Sequence, residues 1–177
     1  IHQEEFEQSE TGLLTAKASR TLAEYYFTCK PSLPWFVLNH HPEVDLITYL
    51  DADLFFFASS APIYQDMANS SIAVVGHCFS PELLSLQVYG RYNAGWVAFR
   101  RDADGLAGLR WWKERCIEWC YDRTELGRFA DQKYLDLLPI LFQKAIVIPQ
   151  KGVNLARWNL KNYTLREVDN QFWVDEQ

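Results

Sequence analysis

Apolar positions along the chain recur at two spacings. From Thr11, a capping residue type, Leu14, Ala18, Leu22 and Tyr25 or Tyr26 return about every 3.6 positions, which predicts a helix to about Phe27. The segment "KPSLPW" is expected to end it, and Ser32 before Leu33 and Pro34 predicts a short second helix carrying Trp35, Phe36 and Leu38 up to Pro42. In "LITYLDADLFFF", residues 46–57, the apolar residues preceding Asp51 are nearly continuous, the pattern of a strand buried on both faces. "SSAPIYQDMANS" reads as a capped helix, and "SIAVVGH" (71–77) as another buried strand. "RYNAGWVAFRR" (91–101) is strand-like around a glycine, which predicts a bulge or a close backbone approach. A long helix is expected from about Ala103 to Tyr121, its core face marked by Leu106, Leu109, Trp112, Cys116 and Trp119 or Cys120. "FADQKYLDLLPILF" predicts one more helix, "AIVIP" (145–149) a short strand, and "REVDNQFWV" a hairpin turning at Asp169 and Asn170.

Helices alternating with short buried strands predict an α/β fold: a central sheet, mostly parallel or mixed, flanked by helices in a Rossmann-like arrangement. In such folds the ligand crevice lies beyond the carboxyl ends of the strands, where Asp51 and Asp53 fall. An ionised carboxylate removed from water without a partner costs several kcal/mol, so water, backbone N–H groups or a cation must compensate these two. Acids at i and i+2 just past a strand can converge on one hard divalent cation, Mg²⁺ or Mn²⁺, which would draw its other ligands from phosphates. The alternative is that one caps the following turn and the other is solvated.

Composition narrows the partners. The 177 residues, 49% hydrophobic and 15% aromatic, suffice for one good core, so residues 1–177 are read as a single domain. Net charge is −6 and the 17 basic residues are scattered, which leaves no stripe to neutralise a nucleic-acid backbone. No apolar run approaches a membrane span and no signal-peptide layout is visible, so a soluble, cytoplasmic protein is expected. Cys29, Cys78, Cys116 and Cys120 form no CxxC pair and read as reduced thiols. Cys116 and Cys120, i and i+4 on a helix, could share zinc with His77 or Cys78, but small apolar core residues are the simpler reading.

The series "YLDADLFFF", "RYNAGWVAF", "WW" and "ADQKYLD", in that order, resembles family 8-type glycosyltransferases of the GT-A fold and their bacterial relatives, over roughly residues 13 to 160. The resemblance implies a retaining transfer from a nucleotide-sugar donor, a UDP-sugar first among them, to a glycan or other acceptor. It implies Asp51 and Asp53 as ligands of Mn²⁺ or Mg²⁺, and Arg20, Ala52, Asn93, Ala94 and Gly95 as donor contacts. Asp131 and Gln132 would then be the catalytic pair, the aspartate accepting from sugar hydroxyls and the amide lying near the anomeric centre. His77, at a strand end, and Asn154, Trp158 and Asn159 in "GVNLARWN" are candidates for acceptor or phosphate. Two parts of the family pattern have no counterpart here, the nucleobase-holding first strand and the late metal-binding histidine, so the expectation is either a domain truncated at both ends or a divergent relative that no longer catalyses. The rival readings are a non-catalytic nucleotide-sugar binding module and a HAD-type phosphatase, whose two aspartates would serve as nucleophile and acid/base.

Overall fold

The computed structural model describes residues 2–169 and 171–175. Two short helices, α1 (Gln3–Gln8) and α2 (Thr11–Ser19), open the chain. The helix expected to continue to Phe27 instead breaks at Arg20, whose backbone is extended. Thr21 restarts it: the Glu24 amide donates to its hydroxyl, and its own amide donates to the Glu24 carboxylate. The new helix, α3 (Leu22–His40), runs through Pro31 and Pro34. This corrects the expectation that "KPSLPW" separates two helices. An interior proline costs a helix about 3 kcal/mol in the hydrogen bond it cannot make and the clash it brings, but both rings are buried here, and that packing offsets part of the cost. At the far end of α3, the Arg101 guanidinium donates to the carbonyls of Leu38, His41 and Val44 and ties the helix terminus to the sheet.

Four strands follow, interleaved with helices: β1 (Leu46–Leu50), α4 (Ala61–Asp66), β2 (Ile72–Gly76), β3 (Tyr92–Arg100), α5 (Ala103–Glu118), α6 (Leu138–Leu141) and β4 (Ala145–Val147). Their order in the sheet is β1-β3-β2-β4. β3 is antiparallel to both β1 and β2, and β2 is parallel to β4. The α/β class therefore holds, and of the two sheet arrangements expected it is the mixed one that is found, since parallel pairing is confined to β2 and β4. β1, β2 and β4 nevertheless run in one direction, so their carboxyl ends gather at one end of the sheet, where antiparallel β3 begins. β1 is an edge strand, half-buried with Leu50 exposed, and not the doubly buried strand its apolar run suggested.

Each face of the sheet carries its own core. On one, Leu109, Trp112 and Cys116 of α5 pack against Ile72, Val74, Val97 and Phe99, as the helical stripe predicted. The other gathers Ala73, Val75, Trp96 and Ala98 with Ile63 and Met67 from α4 and its exit. Asp102 caps α5, accepting from the Gly105 amide and the Ser71 hydroxyl. The segment 129–142 is not the single helix predicted: a 3-10 turn, Gln132–Leu137, leads into the short α6. Another 3-10 helix, Pro81–Tyr89, joins β2 to β3. The predicted hairpin is present as β5 (Leu165–Val168) and β6 (Gln171–Val174), with Asp169 in the left-handed region at φ 53° and Asn170 outside the described residues. Among the described residues no helix is long and apolar enough to cross a membrane.

Candidate functional site

Asp51 is the residue after β1, and its amide donates to the Gly95 carbonyl at 2.9 Å. That bond ties the "DAD" turn to the "YNAG" strand entry. The compensating cation that its carboxylate requires is Lys30 of α3, with Nζ 2.8 Å from Oδ1 and 3.0 Å from Oδ2. Tyr49 Oη also donates to Oδ1, at 2.9 Å. Lys30 lies 3.9 Å from Oδ2 of Asp131 as well, so one ammonium faces two carboxylates contributed by different parts of the chain. Its side chain is only 14% exposed and sits over the Tyr49 and Phe27 rings. Sequence reasoning missed Lys30, because a helix ended at "KPSLPW" leaves it in a loop. Asp53 and Ala52 are exposed, and Asp53 makes no hydrogen bond or ion pair among the described residues.

β3 begins with an irregularity that serves this corner. Val74 pairs with Val97 but Val75 pairs with Asn93, so residues 94–96 leave the β2 ladder, the bulge that the glycine predicted. Asn93 Oδ1 accepts from the Gly95 amide at 2.7 Å, and its Nδ2 donates to Asn154 Oδ1 at 3.0 Å. A Cβ on Gly95 would lie 3.0 Å from both Asn93 Oδ1 and Asp51 Oδ2, so the close packing of the two motifs depends on glycine here. Ala94 is buried. Asn154 donates to the Gly76 carbonyl, and the buried Asn159 donates to the carbonyls of His77 and Asn154. Both asparagines thus hold backbone at the β2 exit, Asn159 with both of its amide donors and Asn154 with one.

Asp131 is 3% exposed and its Oδ2 has no hydrogen-bond partner among the described residues. Burial pushes its carboxyl up to about 6, while Lys30 and a backbone bond pull it down and Asp51 adds to the rise. Its carbonyl accepts from Trp112 Nε1 at 2.9 Å, which anchors this residue directly to the core. Gln132 turns elsewhere: Nε2 donates to the Tyr89 carbonyl at 3.2 Å, and the side chain packs on Gly90, whose φ of 140° only glycine adopts readily.

Arg20, expected among the donor contacts, is engaged at the end of α5. It donates to the carbonyls of Cys116 and Ile117 and to the Thr28 hydroxyl, capping the end of α5. His77 is 6% exposed, and burial lowers its pKa to about 4, only partly offset by the carbonyls of Arg91 and Gly90 and by Asp136. Its ring stacks on Phe79 and meets the edge of Trp158 in a cleft beside Gln132. The two carboxylates of "DAD" have the hard-oxygen chemistry that suits Mg²⁺ or Mn²⁺ completed by phosphates and water, with Asp53 free and Asp51 shared with Lys30. Among the described residues no three His, Cys, Asp or Glu side chains converge, here or around Cys116 and Cys120.

The profile of the PRAME N-terminal domain matches residues 110–173, a stretch that contains Asp131 and Gln132 but not Lys30, Asp51 or Asn93. Two curated relatives from Bacillus subtilis (strain 168) are similar over almost the whole chain. "Uncharacterized protein YfnF" is 36% identical over 171 residues, 93% of this chain and 56% of the relative. "Uncharacterized protein YfnD" is 31% identical over 173 residues, 96% of this chain and 56% of the relative. The chain spans about half the length of these curated relatives, and both alignments are long enough to include every site residue from Lys30 to Gln132. No solved structure matches.

Proposed function

We propose that the chain forms the catalytic half of a GT-A-like glycosyltransferase, which moves a sugar from a nucleotide-sugar donor, a UDP-sugar first among them, to an acceptor. The observation that supports this reading is the meeting of three motifs far apart in sequence: Asp51 is bonded to Gly95 through the backbone, and Lys30 faces both Asp51 and Asp131. In this reading Asp51 and Asp53 would hold Mn²⁺ or Mg²⁺, which supplies charge neutralisation for a diphosphate leaving group. Asn93 and the Ala94–Gly95 backbone line the approach of the donor sugar. Asp131, held in place through the Trp112 bond to its carbonyl, accepts from sugar hydroxyls with its unpartnered Oδ2. Gln132 is a neutral amide and positions rather than abstracts a proton. Lys30 keeps the partly exposed Asp51 and the buried Asp131 compatible before the donor arrives and is available to phosphate oxygens after it.

A second reading, a non-catalytic nucleotide-sugar binding module, is favoured by the same ion pair, because Lys30 already occupies Asp51. Calorimetric titration with UDP, with Mn²⁺ and with EDTA, separates binding from none, and NMR of a UDP-sugar mixture separates turnover from binding. The transferase reading expects Mn²⁺-dependent binding that Asp53→Ala abolishes, together with slow release of free sugar. Binding without turnover leaves the module, and binding indifferent to both Mn²⁺ and Asp53→Ala removes the metal-bridged site.

A further inference from the structure

A cleft of about 450 Å³ opens next to Gln132, and its walls are aromatic. On one side the His77 and Phe79 rings stack at 4.7 Å and 8°, with Trp158 set against His77 at 5.4 Å. On the other, Tyr89 and Phe129 lie 4.7 Å apart. The volume is that of a small-molecule site. Gln132 and Arg157 add polar groups to its lining.

We propose that this cleft binds a hexopyranoside ring, the acceptor of the transfer, with its C–H face on Phe79 and Tyr89 and its hydroxyl rim on Gln132 and Arg157. A pyranose combines an apolar face with a polar rim, and the cleft offers ring faces with a few convergent polar groups. A wholly apolar ligand would cover the Gln132 amide and the Arg157 guanidinium without pairing them, which carries the cost of their lost hydrogen bonds to water. The cleft adjoins the donor corner in sequence, since Gln132 lines it and bonds Tyr89 while its neighbour Asp131 faces Lys30. The acceptor assignment rests on the transferase reading, whereas occupancy of the cleft by a hexopyranoside does not.

The test is saturation-transfer NMR with methyl glucoside, galactoside and mannoside, and with indole as the apolar control. It is run on the 177-residue chain, Tyr89→Ala and Phe79→Ala, with folding checked by circular dichroism. Tyr89 is 39% exposed, so its truncation leaves the core intact. At least one glycoside should receive saturation, and each variant should bind it about tenfold more weakly, the usual scale for truncating an aromatic anchor. Absence of transfer to every glycoside, transfer to indole alone, or transfer unchanged in both variants overturns the proposal. UDP with Mn²⁺ is titrated into the same samples. Nucleotide binding without glycoside binding defeats this inference alone, and glycoside binding in the cleft without nucleotide binding defeats the donor reading alone.

Discussion

Asp131 carries its charge in the interior with one oxygen unpartnered, and its carboxyl is raised from 3.8 to about 6. The folded state therefore binds a proton more tightly than the unfolded chain does. The stability this contributes is complete below about 3.8 and is lost as the pH rises through about 6. In metal-free buffer Asp131→Asn should thus stabilise the protein at pH 8, by about 1–3 kcal/mol on the scale of 1.36 kcal/mol per unit, and change little at pH 4. Urea unfolding at the two pH values measures this, and an equal effect at both would show that the carboxyl is not buried as described. Lys30→Met works in the opposite direction, because it leaves Asp51 and Asp131 without their common cation. It should destabilise by about 2–4 kcal/mol at pH 8, within the range for breaking a largely buried pair, and by less at pH 5, where Asp131 can take a proton. His77 has the reverse slope to Asp131: lowered to about 4, it withdraws stability as the pH falls from 6.5 towards 4, and His77→Phe should remove that dependence.

At the scale of elements, Arg20 and Trp112 carry separable predictions. Arg20→Ala removes the donors on the last carbonyls of α5 and should cost about 1–3 kcal/mol in thermal unfolding while leaving nucleotide affinity unchanged. A fall in nucleotide affinity at constant fold would return Arg20 to the donor site. Trp112→Ala should cost about 3–5 kcal/mol, since the ring is fully buried against Phe99. The α5 stripe was legible in the sequence because its burial follows from helical period alone, and the glycine in "YNAG" announced the bulge of β3 for an equally local reason. What misled was tertiary. Pro31 and Pro34 break helices by local rules, yet here they are buried and the helix continues, and Lys30 lies inside that helix, paired with Asp51. The apolar run before Asp51 resembled a central strand, although its place at the sheet edge depends on β3 pairing from 50 residues away in sequence. Asp51, Asn93 and Asp131 could be chosen from motifs, but Lys30, which contacts two of the acids, sits in no motif.

For the whole molecule, the mixed sheet has a consequence that a parallel one would lack. Because β3 is antiparallel, its first residues, not its last, lie beside the carboxyl end of β1, and so Asn93 and Gly95 stand next to Asp51. Lys30 of α3 and Asp131, in the segment after α5, close the corner. The account stands or falls on whether a metal–nucleotide complex seats at this corner. The most direct measurement is paramagnetic broadening of backbone amide signals in the ¹⁵N-labelled chain titrated with Mn²⁺ and UDP, against Mg²⁺ and UDP as the diamagnetic reference. The structure predicts broadening confined to residues around Asp51, Asp53, Asn93 and Gly95, weakening with distance along β1 and β3 and lost in Asp53→Ala. Broadening centred elsewhere, or equally strong in Asp53→Ala, would contradict it.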